Sequence, residues 1–296
     1  MKLNNMNYYT HGGLFHCDEV TGWVICKLAG VCKDFVRITD FDNIPTDGLV
    51  ADIGRKHDPE KLLFDHHQGF ACREDGFPYA SAGLLWDEYG LSIVDQFTNE
   101  NSSKNRKLIW KRVDDKFIKG LDAHDSDNDY SLQGFCSAGS VSVHSLSNIV
   151  SFYNEKDIKK DAAQRLAFAR AAEVVRVSLE KAVIDAVAFY RDLERFDELA
   201  TVENDIAIMS EGINWKEVAA EKYPDLKFII LPSNHPANPF SLQAVPVEPS
   251  SRDVKIPIEK PDWFSGFIHQ GKWIAGSDTV DELVRLANYN LLIPNK

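Results

Sequence analysis

The sequence predicts a two-lobed α/β protein, and three observations carry that expectation. Short apolar runs alternate with helix-patterned segments through the first half of the chain. A stretch from Lys159 to about Phe196 holds neither Gly nor Pro, and a second alternating region follows it. Alternation of this kind implies a parallel sheet covered on both faces. The expected division is a parallel-sheet domain over 1–158, a connecting helix over 159–195 and a smaller α/β domain over 196–296.

Taken in order, Met6 to Thr10 reads as a short strand and Glu19 to Leu28 as a helix with Val20, Val24 and Leu28 on one face. Asp34 to Ile38, Leu49 to Ile53 and Lys61 to Phe64 read as strands. Ser81 opens a helix through Leu84, Leu85 and Tyr89 that Gly90 is expected to end. Asn101 to Gly120 reads as one helix with Leu108, Ile109, Val113, Phe117 and Ile118 as its buried stripe. The long connecting helix draws its apolar positions from Leu166, Ala169, Val174, Val177, Ala182 and Val187. Beyond it, Ile206 to Met209, Lys227 to Leu231, Leu242 to Val247 and Lys272 to Ala275 read as strands. Trp215 to Lys222 and Thr279 to Tyr289 read as helices, with prolines crowding the connections.

A chain of 296 residues is long enough for two domains and their cores. Its net charge of -12 argues against a surface built to grip long duplex nucleic acid. A short oligonucleotide or small phosphate ester fits better, because bound cations invert the local field. The five cysteines (Cys17, Cys26, Cys32, Cys72, Cys136) form no C-x-x-C pair, which suits reduced thiols. No segment reads as a signal peptide or a bilayer span, so the expected location is cytoplasmic, with no membrane partner. A homodimer is compatible with this picture.

The chemistry gathers at strand ends. His11-Gly-Gly-Leu-Phe-His16-Cys17-Asp18-Glu19 follows the first strand, Asp52 ends a later one, and Asp65-His66-His67-Gln68 follows another. In an open α/β sheet such ends share one edge, where ligands bind. A mix of carboxylate and imidazole suits Mn²⁺ or Mg²⁺, with other divalent metals open. More candidate ligands are present than one ion needs, and two ions about 3.5–4 Å apart would use them all, sharpening water into a nucleophile for phosphate chemistry. Asp122 and Asp125 add carboxylates in a stretch that also holds Asp127 and Asp129. A lone Asp in a turn is more often a cap. His57, His144 and His235 have no matching context and read as structural.

Asp65-His66-His67 resembles the name motif of the DHH phosphoesterase superfamily. Thr10-His11-Gly-Gly-Leu-Phe-His16-Cys17-Asp18-Glu19 is similar to the T-H-N-G-x-F-H-C-D-E string of its melanocyte-proliferating-gene branch of 3′–5′ RNA exonucleases. Ser81-Ala-Gly83, Leu121-Asp122-Ala-His124-Asp125, Ala244 to Pro249 and Phe267 to Gly276 match that branch in order, so the resemblance spans nearly the whole chain. It implies a DHH-type metal-binding catalytic domain followed by a substrate-binding one. It also implies that His11, His16 and Asp52 hold one metal and that Asp18, Asp52 and either Asp122 or Asp125 hold the other, with Asp52 bridging and Asp122 slightly favoured. His66 would sit beside the nucleophile or complete a metal's shell, with Asp65 and His67 orienting their neighbours. His269, Gly271, Lys272 and Ser277 become substrate-side candidates, against the plainer reading of an ordinary hairpin. Arg252 is a weaker one, and Trp263, Phe264 and Phe267 read as base-stacking or core aromatics.

The function expected is therefore a two-metal (Mn²⁺) phosphodiesterase that hydrolyses single-stranded RNA or short oligonucleotides from the 3′ end. The nearest alternative is hydrolysis of a small species such as a cyclic or linear dinucleotide, pAp or pyrophosphate. A non-catalytic nucleotide- or RNA-binding module is the reading from another class. Asn128 to Gln133 and Ser137 to Ser140 read as flexible connection rather than a substrate loop. Ser81-Ala-Gly83 reads either as a phosphate-binding helix start or as a simple cap.

Overall fold

The structure is a computed structural model that describes residues 6–69, 71–99, 102–125, 145–157 and 161–293. It is a mixed α/β chain with two sheets, as the alternation predicts, and it divides into two compact units, Met1–Val187 and Ala188–Lys296. The expectations for Asp127, Asp129, Cys136, His144, Asn128 to Gln133 and Ser137 to Ser140 fall outside the described residues.

The first unit is built on a five-stranded sheet in the order β2-β1-β3-β5-β4. Its strands are β1 (Met6–His11), β2 (Cys32–Ile38), β3 (Leu49–Ala51), β4 (His57–Asp58) and β5 (Leu63–Phe64). β1 runs parallel to β2 and β3, β3 runs parallel to β5, and only β4 is antiparallel. The carboxyl ends of β1, β3 and β5 are therefore neighbours, at His11, Ala51 and Phe64. Helix α1 (Cys17–Leu28) packs against α2 (Ser81–Phe97). Cys17 begins this helix and is buried, with Sγ 3.7 Å from Thr21 Oγ1.

Two helices differ from the sequence reading. α2 runs straight through Gly90. A Cβ at Gly90 would lie 2.6 Å from the Trp86 ring and 2.8 Å from Trp110, so this glycine admits close ring packing and does not stop the helix. The segment expected as one helix is instead α3 (Arg106–Val113), a π-helical turn (Asp114–Ile118) and α4 (Lys119–Asp125). The wide turn shifts the helix phase. Ile109, Val113, Ile118 and Asp114 are buried, while Leu108 is exposed. A short helix α5 (Leu146–Ser151), capped by Ser145, was not anticipated.

Helix α6 (Asp161–Leu199) is the long connecting element, and the break between the two units falls inside it. Its buried stripe is Phe168, Ala171, Val175, Leu179 and Val183, at helical spacing. The sequence reading put Leu166, Ala169 and Val177 inward, yet all three are exposed. In so apolar a helix several stripes compete, and the chosen one carries the aromatic ring of Phe168, which packs on Phe15 and Phe35.

The second unit holds a six-stranded sheet in the order β10-β11-β9-β8-β7-β6. Its strands are β6 (Ala200–Glu203), β7 (Ile206–Met209), β8 (Phe228–His235), β9 (Asn238–Ala244), β10 (Phe267–Ile268) and β11 (Ile274–Ser277). Alternation along β8 sends Ile229 and Leu231 to one face, packed with Trp215 and Val218 of α7 (Trp215–Lys222). It sends Phe228 and Ile230 to the other, packed with Leu283 and Leu286 of α8 (Val280–Leu292). Among the described residues no helix is long and apolar enough to cross a membrane.

Candidate metal centre

The three neighbouring strand ends of the first sheet deliver the titratable side chains. His11 closes β1, Asp52 follows β3, and Asp65-His66-His67 follows β5. Asp52 takes a left-handed backbone (φ 61), uncommon for a non-glycine residue, and the turn continues through Gly54 (φ 94) and Arg55 (φ 53). The Asp52 N–H donates to Phe64 O at 3.1 Å, and the Arg55 N–H donates to Asp65 Oδ2 at 2.6 Å, which fixes the turn. Holding a carboxylate in a sparsely populated conformation costs about 1–3 kcal/mol and concentrates at functional sites.

Three overlapping groups of side chains each place their donor atoms within 4.8 Å of one another: His11, His16, Glu19 and Asp52; Asp52, His66 and His67; and Asp18, Asp52, His66 and Asp125. Asp52 belongs to all three. Its Oδ2 is 3.3 Å from His11 Nε2 and its Oδ1 is 3.5 Å from His66 Nε2, which in turn is 3.0 Å from Asp125 Oδ2. Asp52 Oδ1 and His66 Nε2 are both buried without a hydrogen-bond partner. Buried polar atoms in native folds are otherwise paired. Two such atoms inside one carboxylate–imidazole cluster fit a divalent cation, and the donor chemistry suits a hard-to-borderline ion.

The charges are strongly interdependent. Burial favours the neutral carboxyl at Asp52, but His11 and His66 outweigh it and hold the pKa at about 2. Burial opposes protonation of His11 and His66, yet Asp52 with Glu19 raises the first to about 11, and Asp125 with Asp52 raises the second to about 11. Burial, then Asp125 and Asp52, push Asp18 well above the ordinary carboxylate range. Asp52 and the two imidazoles therefore favour one another's charged forms.

Around this cluster the remaining residues hold it in place. Buried Asp65 accepts from the Arg55 and His67 N–H groups, and its Oδ1 is 2.7 Å from His67 Nδ1. Asp18 accepts from the Ser81 and Ala82 N–H groups at 3.1 and 2.7 Å, so a carboxylate from α1 caps the start of α2. Those N–H groups are not free for a phosphate, and Ser81 is not its own cap, because Ala80 is the N-cap residue.

The geometry sets Asp122 apart from these groups. It lies outside all three groups, fully buried, with Oδ2 2.7 Å from Arg73 Nη2 and Oδ1 accepting from Gly83 N at 3.2 Å. Asp125, one helical turn on, is the member of the pair that reaches His66. Two participants escaped the sequence reading. Glu19 is fully buried, 2.9 Å from His11 Nε2, and accepts from the His16 N–H. Its place three residues after a helix N-cap was a signal, but one that capping alone explains. Arg73 forms a buried fork to Asp114 and Asp122, and nothing in its local sequence announced it.

The substrate-side candidates lie in the second unit, within or beside the β10–β11 turn. His269 Nδ1 accepts from Gly271 N, Lys272 (φ 56) pairs with Glu259 at 2.6 Å, and buried Ser277 donates to Glu282. The first and last of these bonds are local, and Lys272 reaches Glu259 outside the hairpin. Phe264 is core, Trp263 packs beside it under Arg285, and Phe267 is exposed. Beside the carboxylate–imidazole cluster, by contrast, lies a cavity of about 650 Å³ lined by His11, His16, Asp52, Arg55, His67 and Asp125 together with Phe41 and Ile44.

Known proteins resemble this chain over most of its length. The MYG1_exonuc model, described as "Uncharacterised protein family (UPF0160)", matches residues 8–291. The MYG1 exonuclease of Homo sapiens is 24% identical over 327 residues, covering 95% of this chain and 85% of that one. That of Rattus norvegicus is 24% identical over 326 residues, with 95% and 84% covered. A MYG1 protein of Dictyostelium discoideum is 33% identical over 130 residues, 42% of this chain and 39% of its own length. A solved Vibrio structure, the pGpG-specific phosphodiesterase PggH, aligns over 97% of both chains at 15% identity, with a TM-score of 0.29 that is too low to carry a shared fold.

Proposed function

This chain belongs to the MYG1_exonuc family (UPF0160), and from that membership and the site geometry we propose that it is a metal-dependent phosphodiesterase, a 3′–5′ exonuclease acting on single-stranded RNA or short oligonucleotides. One observation carries the reading: Asp52, common to three potential ligand groups, leaves a buried oxygen without a hydrogen bond beside His66 Nε2, which makes none either although it lies 3.0 Å from Asp125 Oδ2. His11, His16, Glu19 and Asp52 would hold one divalent ion, and Asp18, Asp52, His66 and Asp125 a second, with Mn²⁺ the preferred metal. Bound there, the ions would supply Lewis acidity and a water of lowered pKa. The chain's own part is positioning. Asp65 fixes the Asp52–Arg55 turn and the His67 ring, and Asp18 ties α1 to the start of α2.

Names support the exonuclease reading, since full-length relatives are called MYG1 exonucleases. Hydrolysis of a small nucleotide species uses the same centre and is the runner-up. The free Cys17, Cys26, Cys32 and Cys72 support a reducing, cytoplasmic setting. The deciding experiment incubates the protein and Mn²⁺ with 5′- and 3′-labelled short RNA, matched DNA and cyclic dinucleotides. Stepwise shortening of RNA from the 3′ end is expected. Exclusive turnover of the cyclic or dinucleotide substrates would replace this reading with the runner-up, and metal-independent binding without turnover would return the chain to a binding module.

A further inference from the structure

The cavity beside the ligand groups carries two side chains that the metal chemistry does not use. Phe41, in the turn after β2, is 58% exposed and lines the cavity beside Ile44 and Ile53. No ring contact engages it among the described residues. Ile44 and Ile53 are anchored, packing with Tyr9, Ile38 and Val50, so the apolar wall is fixed while the Phe41 ring stands free. Arg55 is the only Lys or Arg lining this cavity among the described residues. Its backbone is clamped by Asp65, yet no hydrogen bond or ion pair takes up its guanidinium among the described residues.

We propose that Phe41 and Arg55 form a nucleoside-phosphate subsite on the cavity wall, Phe41 stacking on the base and Arg55 binding phosphate oxygens. The argument is one of charge and shape. The other titratable side chains of the lining are carboxylates and imidazoles, Asp52, Asp65 and Asp125 among them, so an anion needs a fixed cation besides the metals. A planar guanidinium matches phosphate with paired N–H donors. A free aromatic face beside it takes any base, at about 1–3 kcal/mol per stacked base. A pyrophosphate-sized substrate would have no use for Phe41. The subsite thus names nucleotides as the substrate class, and for the position of the reacting phosphate it rests on the function proposed above.

The test is calorimetric titration of the full chain in Mn²⁺ buffer with AMP and with ribose 5-phosphate, which share the phosphate and differ in the base. AMP is expected to bind about 5- to 150-fold more tightly, the factor that one stacked base implies. Phe41→Ala and Phe41→Leu should bring that ratio close to one, Phe41→Trp should retain it, and Arg55→Ala should weaken both ligands about 10-fold. Equal binding of the two ligands to the unaltered protein, or a ratio that survives Phe41→Ala, overturns the subsite. Both side chains are exposed, so an unchanged melting temperature certifies the variants. The two proposals fail separately: AMP preference without diester hydrolysis sinks the exonuclease and leaves the subsite, whereas hydrolysis without AMP preference does the reverse.

Discussion

Asp52 Oδ1 and His66 Nε2 face each other 3.5 Å apart, both buried, neither with a hydrogen-bond partner. Leaving a buried polar atom unsatisfied costs about 1–3 kcal/mol. Asp52 adds a left-handed backbone to that cost. A fold tolerates both at one residue when a ligand relieves them.

Asp52→Asn is expected to lower Mn²⁺-stimulated hydrolysis of bis(p-nitrophenyl) phosphate by well over about 100-fold. Loss of a residue that only orients a ligand costs about 10–100-fold, and Asp65→Asn should fall in that range. Steady-state rates of the two variants, with elemental analysis for bound Mn²⁺, check both. Equal losses in the two would remove the special place given to Asp52.

Asp125 predicts a dependence of stability on metal. It presses with Asp52 on buried Asp18 and pairs with His66 at 3.0 Å. Asp125→Asn therefore removes a repulsion and an attraction together, and the variant is compared with its own EDTA-treated melt. Its gain on adding Mn²⁺ should shrink, because binding to the native state alone supplies that gain. Thermal melts with and without Mn²⁺ decide it, and an undiminished gain would take Asp125 out of the ligand set.

These two residues also show what could be read in the sequence. His11, Asp52 and His66 were legible because each follows an apolar run, and adjacent parallel strands bring their carboxyl ends together whatever the connecting loops do. The choice between Asp122 and Asp125 was not legible. It depends on the helical phase after the π-turn at Asp114–Ile118, an irregularity that no spacing rule signals. Glu19 was hidden because helix capping accounts for it, and Arg73 because its partners lie 41 and 49 residues away. In α6 the apolar positions outnumber one stripe, so the inward face was set by the ring packing of Phe168.

Asp122 predicts a pH dependence of stability. Burial raises its carboxyl; Arg73 pulls it down, Asp114 pushes it up, and it settles at about 7 against 3.8 unperturbed. Between those values the folded state holds a proton that the unfolded chain releases. The stability it contributes is therefore present at low pH and is lost as pH rises through about 7. Relative to Asp122→Asn, the unaltered protein should lose about 1–2 kcal/mol of stability between pH 5.5 and 8. Urea unfolding of both proteins at the two pH values measures it, and parallel curves would show that Asp122 stays charged throughout on Arg73.

Gly83 ties the Ser81-Ala-Gly83 segment to the centre. Its N–H donates to Asp122, and the two preceding N–H groups donate to Asp18, so two buried carboxylates approach the first turn of α2 from different elements. An ideal Cβ at Gly83 would stand 2.8 Å from both Asp122 Cγ and the Tyr79 ring. Asp122 cannot retreat, because Arg73 holds its other oxygen at 2.7 Å. Gly83→Ala must therefore displace the start of α2, at about 1–3 kcal/mol of overpacking. Displacing that helix start also moves the N–H groups that hold Asp18, so the variant should lose Mn²⁺ affinity as well as stability. Gly120→Ala is the control. A Cβ there meets nothing within 4 Å, and in an exposed helical position alanine is favoured over glycine, so it should keep Mn²⁺ affinity and gain stability. If Gly83→Ala melts lower yet binds Mn²⁺ as the unaltered protein does, the start of α2 does not position Asp18 for the metal.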